Sequence, residues 1–589
     1  MHETRILSTI AFLAIGALSV AQEPDVVIRG GMVIDGTGAD PRRADVAVRN
    51  GRIVAVGDLS SARASRIIDA SGLYVGPGFI DIHSHADTGL SDPYLATAAN
   101  NLLQGITTVV VGQDGRHAWP LGGSLSEQVA LWRRQGVGNN VVPLAGQGSA
   151  RIEVMGWIDQ PASEAERQAI ADHVAGILAE GAWGLSSGLG YYPGRHSPPD
   201  EVVDAARPVA AIDGFYISHM RNQGDMLLES IEETIHLSKE TGVRAVATHI
   251  KASPKRNWGK ARPAVAQIAE ARANGVKIYA DLYPYDTSSD GIDVSLVPIG
   301  ALFEEQEMRE LLAPAGTDPG ELLRWAFRLE PNLGRRFDLD FLLENPQQAF
   351  GNAVRGTDRL RGEAIFRHRL RERLADPETS PALLEAVLDR ISGPGGAEIF
   401  EIASHPEERL VGLRLSELAR ARGISEARAA VELTLEGASF TQLHMSDDDV
   451  VTYIQQPFMA ACTDGWVPEY GFGLTHPRSY GAFTRRIRRY VYDLGVIDLP
   501  FAIQTATGLP AEIIGLGDRG LIEEGQWADL IAFDPARIRD RATYRNPHLY
   551  SEGIEWVLVN GDIVVEDGEV NGHRAGKVLL KTDGSSTSN

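Results

Sequence analysis

Cysteine is almost missing from this chain: Cys462 is the single one in 589 residues. No intrachain disulfide can form, and no thiol near the N-terminus can carry a lipid. Lysine is missing from the whole first part of the chain, where the first is Lys239. Long apolar runs are lacking too. Beyond the N-terminus no stretch is long and apolar enough to span a bilayer. Positive charge is in short supply, and the formal net charge is −23. That argues against a general affinity for nucleic acid or an anionic membrane and leaves the fold open. Internal repeats and long low-complexity segments are also absent.

What remains is ordinary for a globular protein: 43% hydrophobic and 23% charged residues. The length is too great for one simple core, so two or more structural units are expected. Residues 1–21 read as a secretory signal. Arg5 gives a weak positive start, Ile6 to Val20 is largely apolar, and Ser19-Val20-Ala21 places small residues where a signal peptidase reads. Cleavage after Ala21 and an exported, periplasmic location are expected.

From 22 to 78 the pattern is short alternating strands with turns. Val26 to Asp35 reads as a hairpin with a Gly30-Gly31 turn, and Val46 to Val56 as one with an Asn50-Gly51 turn. The segment 506–580 reads the same way at Ala528–Phe533 and Ile554–Val565, so both chain ends are expected to build one β-sandwich. Between them, 79–505 alternates apolar strand candidates with helical stretches such as Leu227–Thr241 and Arg262–Asn274. This α/β rhythm predicts a (β/α)8 TIM-like barrel. The expected strands include Thr107–Gly112, Asn140–Leu144, Gly184–Leu185, Tyr216–His219, Ala245–His249, Lys277–Leu282 and Phe458–Ala461. Residues from about 300 to 440 break the rhythm. They read as a charged helical insertion (Glu304–Leu312, Leu360–Leu374, Leu383–Ile391) over the barrel mouth. The tail 581–589 is polar and expected to be disordered.

Polar residues of catalytic type stand at the ends of these strands. The run Gly78-Phe79-Ile80-Asp81-Ile82-His83-Ser84-His85 is apolar and closes on two histidines one residue apart. Alternate strand residues face one way, so His83 and His85 converge as half of a metal site. A strand with two hydrogen-bonded histidines is the other reading. Asp114 follows the second strand. His219 and His249 each end a short apolar run, with Arg221 and Lys251 two residues further on. Asp464 closes the set in Ala461-Cys462-Thr463-Asp464-Gly465. A carboxylate facing a metal suits general acid/base work.

This ordered set resembles the amidohydrolase superfamily. The finer motifs resemble its N-acyl-D-amino-acid deacylase (D-aminoacylase) family: Gly184-Leu185-Ser186-Ser187-Gly188-Leu189-Gly190-Tyr191-Tyr192-Pro193-Gly194, Ser218-His219-Met220-Arg221, Asp281-Leu282-Tyr283-Pro284-Tyr285 and His476-Pro477-Arg478-Ser479-Tyr480-Gly481. The chain departs from that family where its pattern is G-N-C-G after the second strand. Here the stretch is Gly112-Gln113-Asp114-Gly115, and no lysine lies in the first half of the barrel to bridge two metals instead. Asp114 is then the remaining candidate for a bridging or terminal ligand, with a loop aspartate as the alternative and His117 a lesser candidate for the same space.

The resemblance implies metal-dependent hydrolysis of the amide in N-acyl-D-amino acids or D-residue dipeptides. It implies ligands among His83, His85, Asp114, His219, His249 and Asp464, and Asp464 as general acid/base. One or two Zn²⁺ ions are expected, with Mn²⁺ or Co²⁺ admitted because a carboxylate is harder than a thiolate. It implies a small-molecule substrate with a free carboxylate, clamped by Lys251 and Arg478 beside Tyr191, Tyr283 and Ser289. Arg221 reads either as clamp or as structure. Cyclic-amide hydrolysis, or a binding protein on the same fold, are the alternatives.

Overall fold

The computed structural model describes residues 23–156, 158, 160–288, 296–298, 301–302, 357–471 and 475–581. The leader at 1–21, Ser289, the helix expected at Glu304–Leu312 and the tail from 582 lie outside the described residues.

Eight strand positions follow one another around a parallel barrel. Phe79–Asp81, Ile106–Val111 and Asn140–Pro143 form a three-stranded sheet. Ala145–Gly146 prolongs the last of these and opens a six-stranded sheet with Gly184–Gly188, Phe215–His219, Arg244–Ala247, Ile278–Leu282 and Met459–Ala461. The barrel closes beyond the strand ends. There Gly465–Trp466 pairs in parallel with Ser84–His85, and Asp464 N donates to His83 O at 2.9 Å. Strands such as Ile106–Val111 are buried along their whole length, as a sheet covered on both faces requires. Helices cover the outside. Ser124 with Glu127, and Ser163 with Glu166, form capping boxes that start Leu125–Gln135 and Glu164–Ala179. Among the described residues no helix is long and apolar enough to cross a membrane.

Both chain ends share the second unit. Val26–Arg29, Asp45–Arg49, Arg52–Gly57 and Arg66–Asp69 form a four-stranded sheet. A seven-stranded sheet joins the early strands Met32–Val33, Arg42–Arg43 and Tyr74–Pro77 to Leu530–Phe533, Ile554–Val559, Asp562–Glu566 and Glu569–Val570. Val26, Ile28, Val46 and Ile53 pack with Leu530, Ala532 and Leu558 in one core. The hairpin expected over Val26–Asp35 does not form. Val26–Arg29 pairs with Asp45–Arg49 and Arg66–Asp69, whereas Met32–Val33 pairs with Arg42–Arg43 and Tyr74–Pro77. Gly30-Gly31 is a crossover between sheets: Gly30 has φ +80°, and a Cβ on Gly31 would stand 2.6 Å from Val75 Cγ2. Asn50-Gly51, with both φ positive, does turn a hairpin.

The described part of the insertion has its own core around Leu383, Val387, Ile391, Phe400 and Val431. It contains the helices Thr357–Ala375, Ser380–Ser392, Leu415–Arg422 and Glu426–Glu436 and a two-stranded sheet, Phe400–Ser404 with Ser439–Gln442. It is therefore not helical throughout. It meets the barrel where Ser288 Oγ lies 2.6 Å from His444 Nδ1.

Candidate metal centre

The six proposed ligands come from five strand ends and meet at one mouth of the barrel. His83 Nε2 lies 3.4 Å from His85 Nε2, and His219 Nδ1 lies 2.8 Å from His249 Nε2. Asp114 stands between the two pairs. Its Oδ1 is 3.7 Å from His83 Nε2 and 3.8 Å from both His219 Nδ1 and His249 Nε2, and its Oδ2 is 3.5 Å from His85 Nε2. Asp464 Oδ1 lies 3.5 Å from His83 Nε2 and 3.2 Å from His85 Nε2. Three overlapping sets result: His83, His85, Asp114; His83, His249, Asp464; and Asp114, His219, His249. In each the ligand atoms lie within 4.8 Å of one another.

Three of these residues take a backbone conformation that L-residues other than glycine seldom adopt: Asp114 at φ 57°, His249 at φ 34° and Asp464 at φ 48°. Such positions cost on the order of 1–3 kcal/mol each and persist where the surroundings enforce them. Turning left-handed at the strand end aims each side chain across the mouth.

The charge balance fits a cation. Burial by itself raises the Asp114 and Asp464 carboxyls, but the histidines around both, and Arg478 beside Asp464, hold them well below the usual range. Burial keeps His219 well below its ordinary value. With help from Lys251, it brings His249 down to about 4. Burial also works against a charge on His85, yet the carboxylates of Asp114 and Asp464 push it up to about 9. Two ionised carboxylates thus face the neutral imidazoles of His219 and His249 and a charged His85 in a buried site. Asp114 Oδ1 has no hydrogen bond there, a costly state that a metal ion would relieve. Imidazole nitrogens with carboxylate oxygens are the donor set that Zn²⁺, Mn²⁺ and Co²⁺ accept.

Lys251, Tyr283 and Arg478 gather on one side. Arg478 Nη1 is 2.8 Å from Asp464 Oδ2, its guanidinium sits 4.6 Å over the Tyr283 ring, and Lys251 Nζ sits 5.9 Å from the same ring. Tyr191 lies against His219 with ring centroids 4.0 Å apart. Arg221 belongs to the structure instead: it pairs with Glu233 at 2.7 Å and donates to the carbonyl of Arg195. His117 does not share the Asp114 space. Its ring stacks on Trp119, and its Nδ1 accepts from Gly146 N at 3.1 Å, which leaves the hydrogen of the neutral ring on Nε2.

Sequence reasoning passed over several neighbours. Gln223 links His249 to Lys251, with Nε2 2.8 Å from His249 Nδ1 and Oε1 accepting from Lys251 at 2.6 Å. Trp466 stacks on His85 with ring centroids 4.7 Å apart. No motif marks Gln223. Trp466, two residues after Asp464, is placed only by the closure of the barrel.

A parallel barrel whose strand ends aim four histidines and two aspartates at one point defines a hydrolase of the metal-dependent amidohydrolase type. Comparison with known proteins gives the same class. Residues 66–312 and 473–565 match the family model described as the amidohydrolase family. The chain is 31% identical over 576 residues to N-acyl-D-glutamate deacylase of Alcaligenes xylosoxydans xylosoxydans, across 95% of this chain and 96% of that one. It is 29% identical over 583 residues to D-aminoacylase of the same organism, across 96% and 99%. In structure it resembles N-acyl-D-glutamate deacylase of Bordetella bronchiseptica, solved with zinc and a phosphonate mimic of the tetrahedral intermediate, with TM-score 0.67 and 30% identity over 95% of this chain and 100% of that one. A D-aminoacylase studied for its binuclear metal centre matches with TM-score 0.67 and 29% identity over 95% and 100%. The chain belongs to the amidohydrolase family, in its N-acyl-D-amino-acid deacylase branch, and is a hydrolase of carbon–nitrogen bonds other than peptide bonds.

Proposed function

We propose that this enzyme uses Zn²⁺ to hydrolyse the amide of N-acyl-D-amino acids or D-residue dipeptides. The observation that carries the reading is Asp114 standing between two histidine pairs, within 3.8 Å of each of the four rings. Asp114, His219 and His249 would hold one ion, and His83, His85 and Asp464 a second, weaker one. A metal bound there would lower the pKa of a water molecule toward about 7 and polarise a carbonyl. The protein supplies the rest. Asp464 presents Oδ1 toward the reacting centre while Arg478 fixes Oδ2. Oδ1 takes the proton from the attacking water and returns it to the departing amine. Arg478 and Lys251, both against Tyr283, set two positive charges where the substrate carboxylate would lie, and Arg478 offers the planar fork that a carboxylate matches.

The test is a hydrolysis screen of N-acetyl-D- and N-acetyl-L-amino acids and D-residue dipeptides with added Zn²⁺, Mn²⁺ or Co²⁺, alongside metal analysis. About one or two ions per chain and D-selective hydrolysis that stops on chelation are expected. Hydrolysis by metal-free protein, or none of any N-acyl-D-amino acid, ends the proposal. Export to the periplasm is part of the same reading and rests on the leader at 1–21. Mature protein from a periplasmic fraction should begin at Gln22.

A further inference from the structure

Two of the left-handed residues follow a buried threonine, and each threonine is held by a carboxylate from the next strand around the barrel. Thr248 precedes His249, and its hydroxyl donates to Asp281 Oδ2 at 2.6 Å. The other oxygen, Oδ1, accepts the His249 backbone N–H at 2.6 Å. Thr463 precedes Asp464, and its hydroxyl donates to Asp81 Oδ2 at 2.5 Å, while Asp81 Oδ1 accepts the Thr463 backbone N–H at 2.9 Å. The Thr463 hydroxyl also accepts from Gly465 N at 2.9 Å, just past the turn. All four side chains are buried. Neither aspartate faces the six ligands at their centre, so neither buried carboxylate is explained by metal binding or by proton transfer.

The first pair reaches further. A hydroxyl has one hydrogen. Since Thr248 spends it on Asp281, its oxygen can only accept from His83 Nδ1, which lies within hydrogen-bond reach. That places the His83 hydrogen on Nδ1 and turns the Nε2 lone pair toward Asp114, His85 and Asp464. It is the tautomer a metal ligand needs, and outer partners of this kind typically decide ligand orientation. One residue, Thr248, thus sets the tautomer of a ligand on the first strand and, through Asp281, the turn of a ligand on the sixth.

We infer that Thr248 with Asp281, and Thr463 with Asp81, are positioning residues that act as matched braces on the metal ligands. The Thr248 brace fixes His83 and His249, and the Thr463 brace fixes the turn that aims Asp464. The inference rests on the metal-dependent reading above and adds residues that touch neither substrate nor metal.

The test compares Thr248→Val, Thr248→Ser and Thr463→Val with wild type. Zn²⁺ affinity is read by chelator competition, ligand geometry by the absorption spectrum of the Co²⁺ form, and folding by circular dichroism of the metal-free proteins. Thr248→Val should bind Zn²⁺ about 10–100-fold more weakly and change the Co²⁺ spectrum, while Thr248→Ser, which keeps the hydroxyl, stays within about threefold of wild type. Thr463→Val should keep the Zn²⁺ bound by His219 and His249 and lose at least about tenfold in kcat at unchanged KM. Wild-type affinity and spectrum in Thr248→Val, or an equal loss in Thr248→Ser, overturns the first brace. An unchanged kcat in Thr463→Val overturns the second. If Thr248→Val does not fold, Thr248→Ala, read in the same way, decides the first. A wild type that binds no metal would instead sink the underlying reading, so the two failures are told apart.

Discussion

At the scale of single residues, Asp464 has its two oxygens committed differently: Oδ1 toward His83 and His85, Oδ2 to Arg478. Asp464→Asn removes the basic oxygen while keeping the shape. It should retain metal and lose about 10²–10⁴-fold in kcat, as steady-state kinetics on metal-assayed protein will show. Asp114→Ala takes away the group between the histidine pairs, and elemental analysis should show its metal content falling by at least half. Both positions were legible beforehand because each ends an apolar run, where a barrel puts its chemistry. The departure from the family pattern drew attention to Asp114, the residue that stands nearest the centre. Arg478 was legible as a candidate cation for the site but not as the partner of Asp464. Their contact, 2.8 Å across the mouth, depends on how the last strand and the following helix Arg478–Arg485 return to the barrel. Gln223 was not legible at all: it lies on the loop after the fifth strand, and its role comes from meeting His249 and Lys251 in space.

At the scale of elements, local signals foretold turns better than partners. The Asn50-Gly51 and Asn560-Gly561 pairs both have positive φ at both residues and both turn hairpins. Gly30-Gly31 carries a similar signal yet serves a crossover, because which strand pairs with which is settled by the packing of the two sheets and not by the turn. The two Asn-Gly turns also abut. A Cβ on Gly561 would lie 2.5 Å from Gly51 Cα, and one on Gly51 would lie 2.5 Å from Asn560 O. Backbone cannot yield as a side-chain end can. Gly561→Val should therefore cost more than the roughly 1 kcal/mol of an ordinary glycine replacement, by about 2–4 kcal/mol in denaturant unfolding. The insertion shows the reverse case: its helical stretches were legible at Leu360–Leu374 and Leu383–Ile391, while the small sheet of Phe400–Ser404 and Ser439–Gln442 was hidden among charged, helix-like neighbours.

At the scale of the whole molecule, the division into a β unit from both chain ends and a central barrel was legible because strand alternation stops and resumes. The joint between them was not, since it is made of single polar residues far apart in the chain. Arg519 pairs with Asp529 and donates to Asn560 Oδ1 at 2.7 Å. Asn560 Nδ2 donates to Asn140 Oδ1 at 2.8 Å, and Asn140 Nδ2 donates to Asp529 Oδ2 at 3.1 Å. Asn140 begins the third barrel strand, so this buried network couples sandwich to barrel. Arg519→Met would strand the buried Asp529 charge and should cost about 3–5 kcal/mol, seen as a lower unfolding midpoint. The seven-stranded sheet has a consequence in time as well. Tyr74–Pro77 needs Leu530–Phe533 as its antiparallel neighbour, and Arg52 waits 466 residues for Asp518. At about 5–20 residues per second, a nascent chain holds the early strands unmatched for roughly 25–90 s. During that interval the Tyr74–Pro77 edge stands open to other chains, because the exposed charges of Arg42–Arg43 blunt only the opposite edge of the sheet.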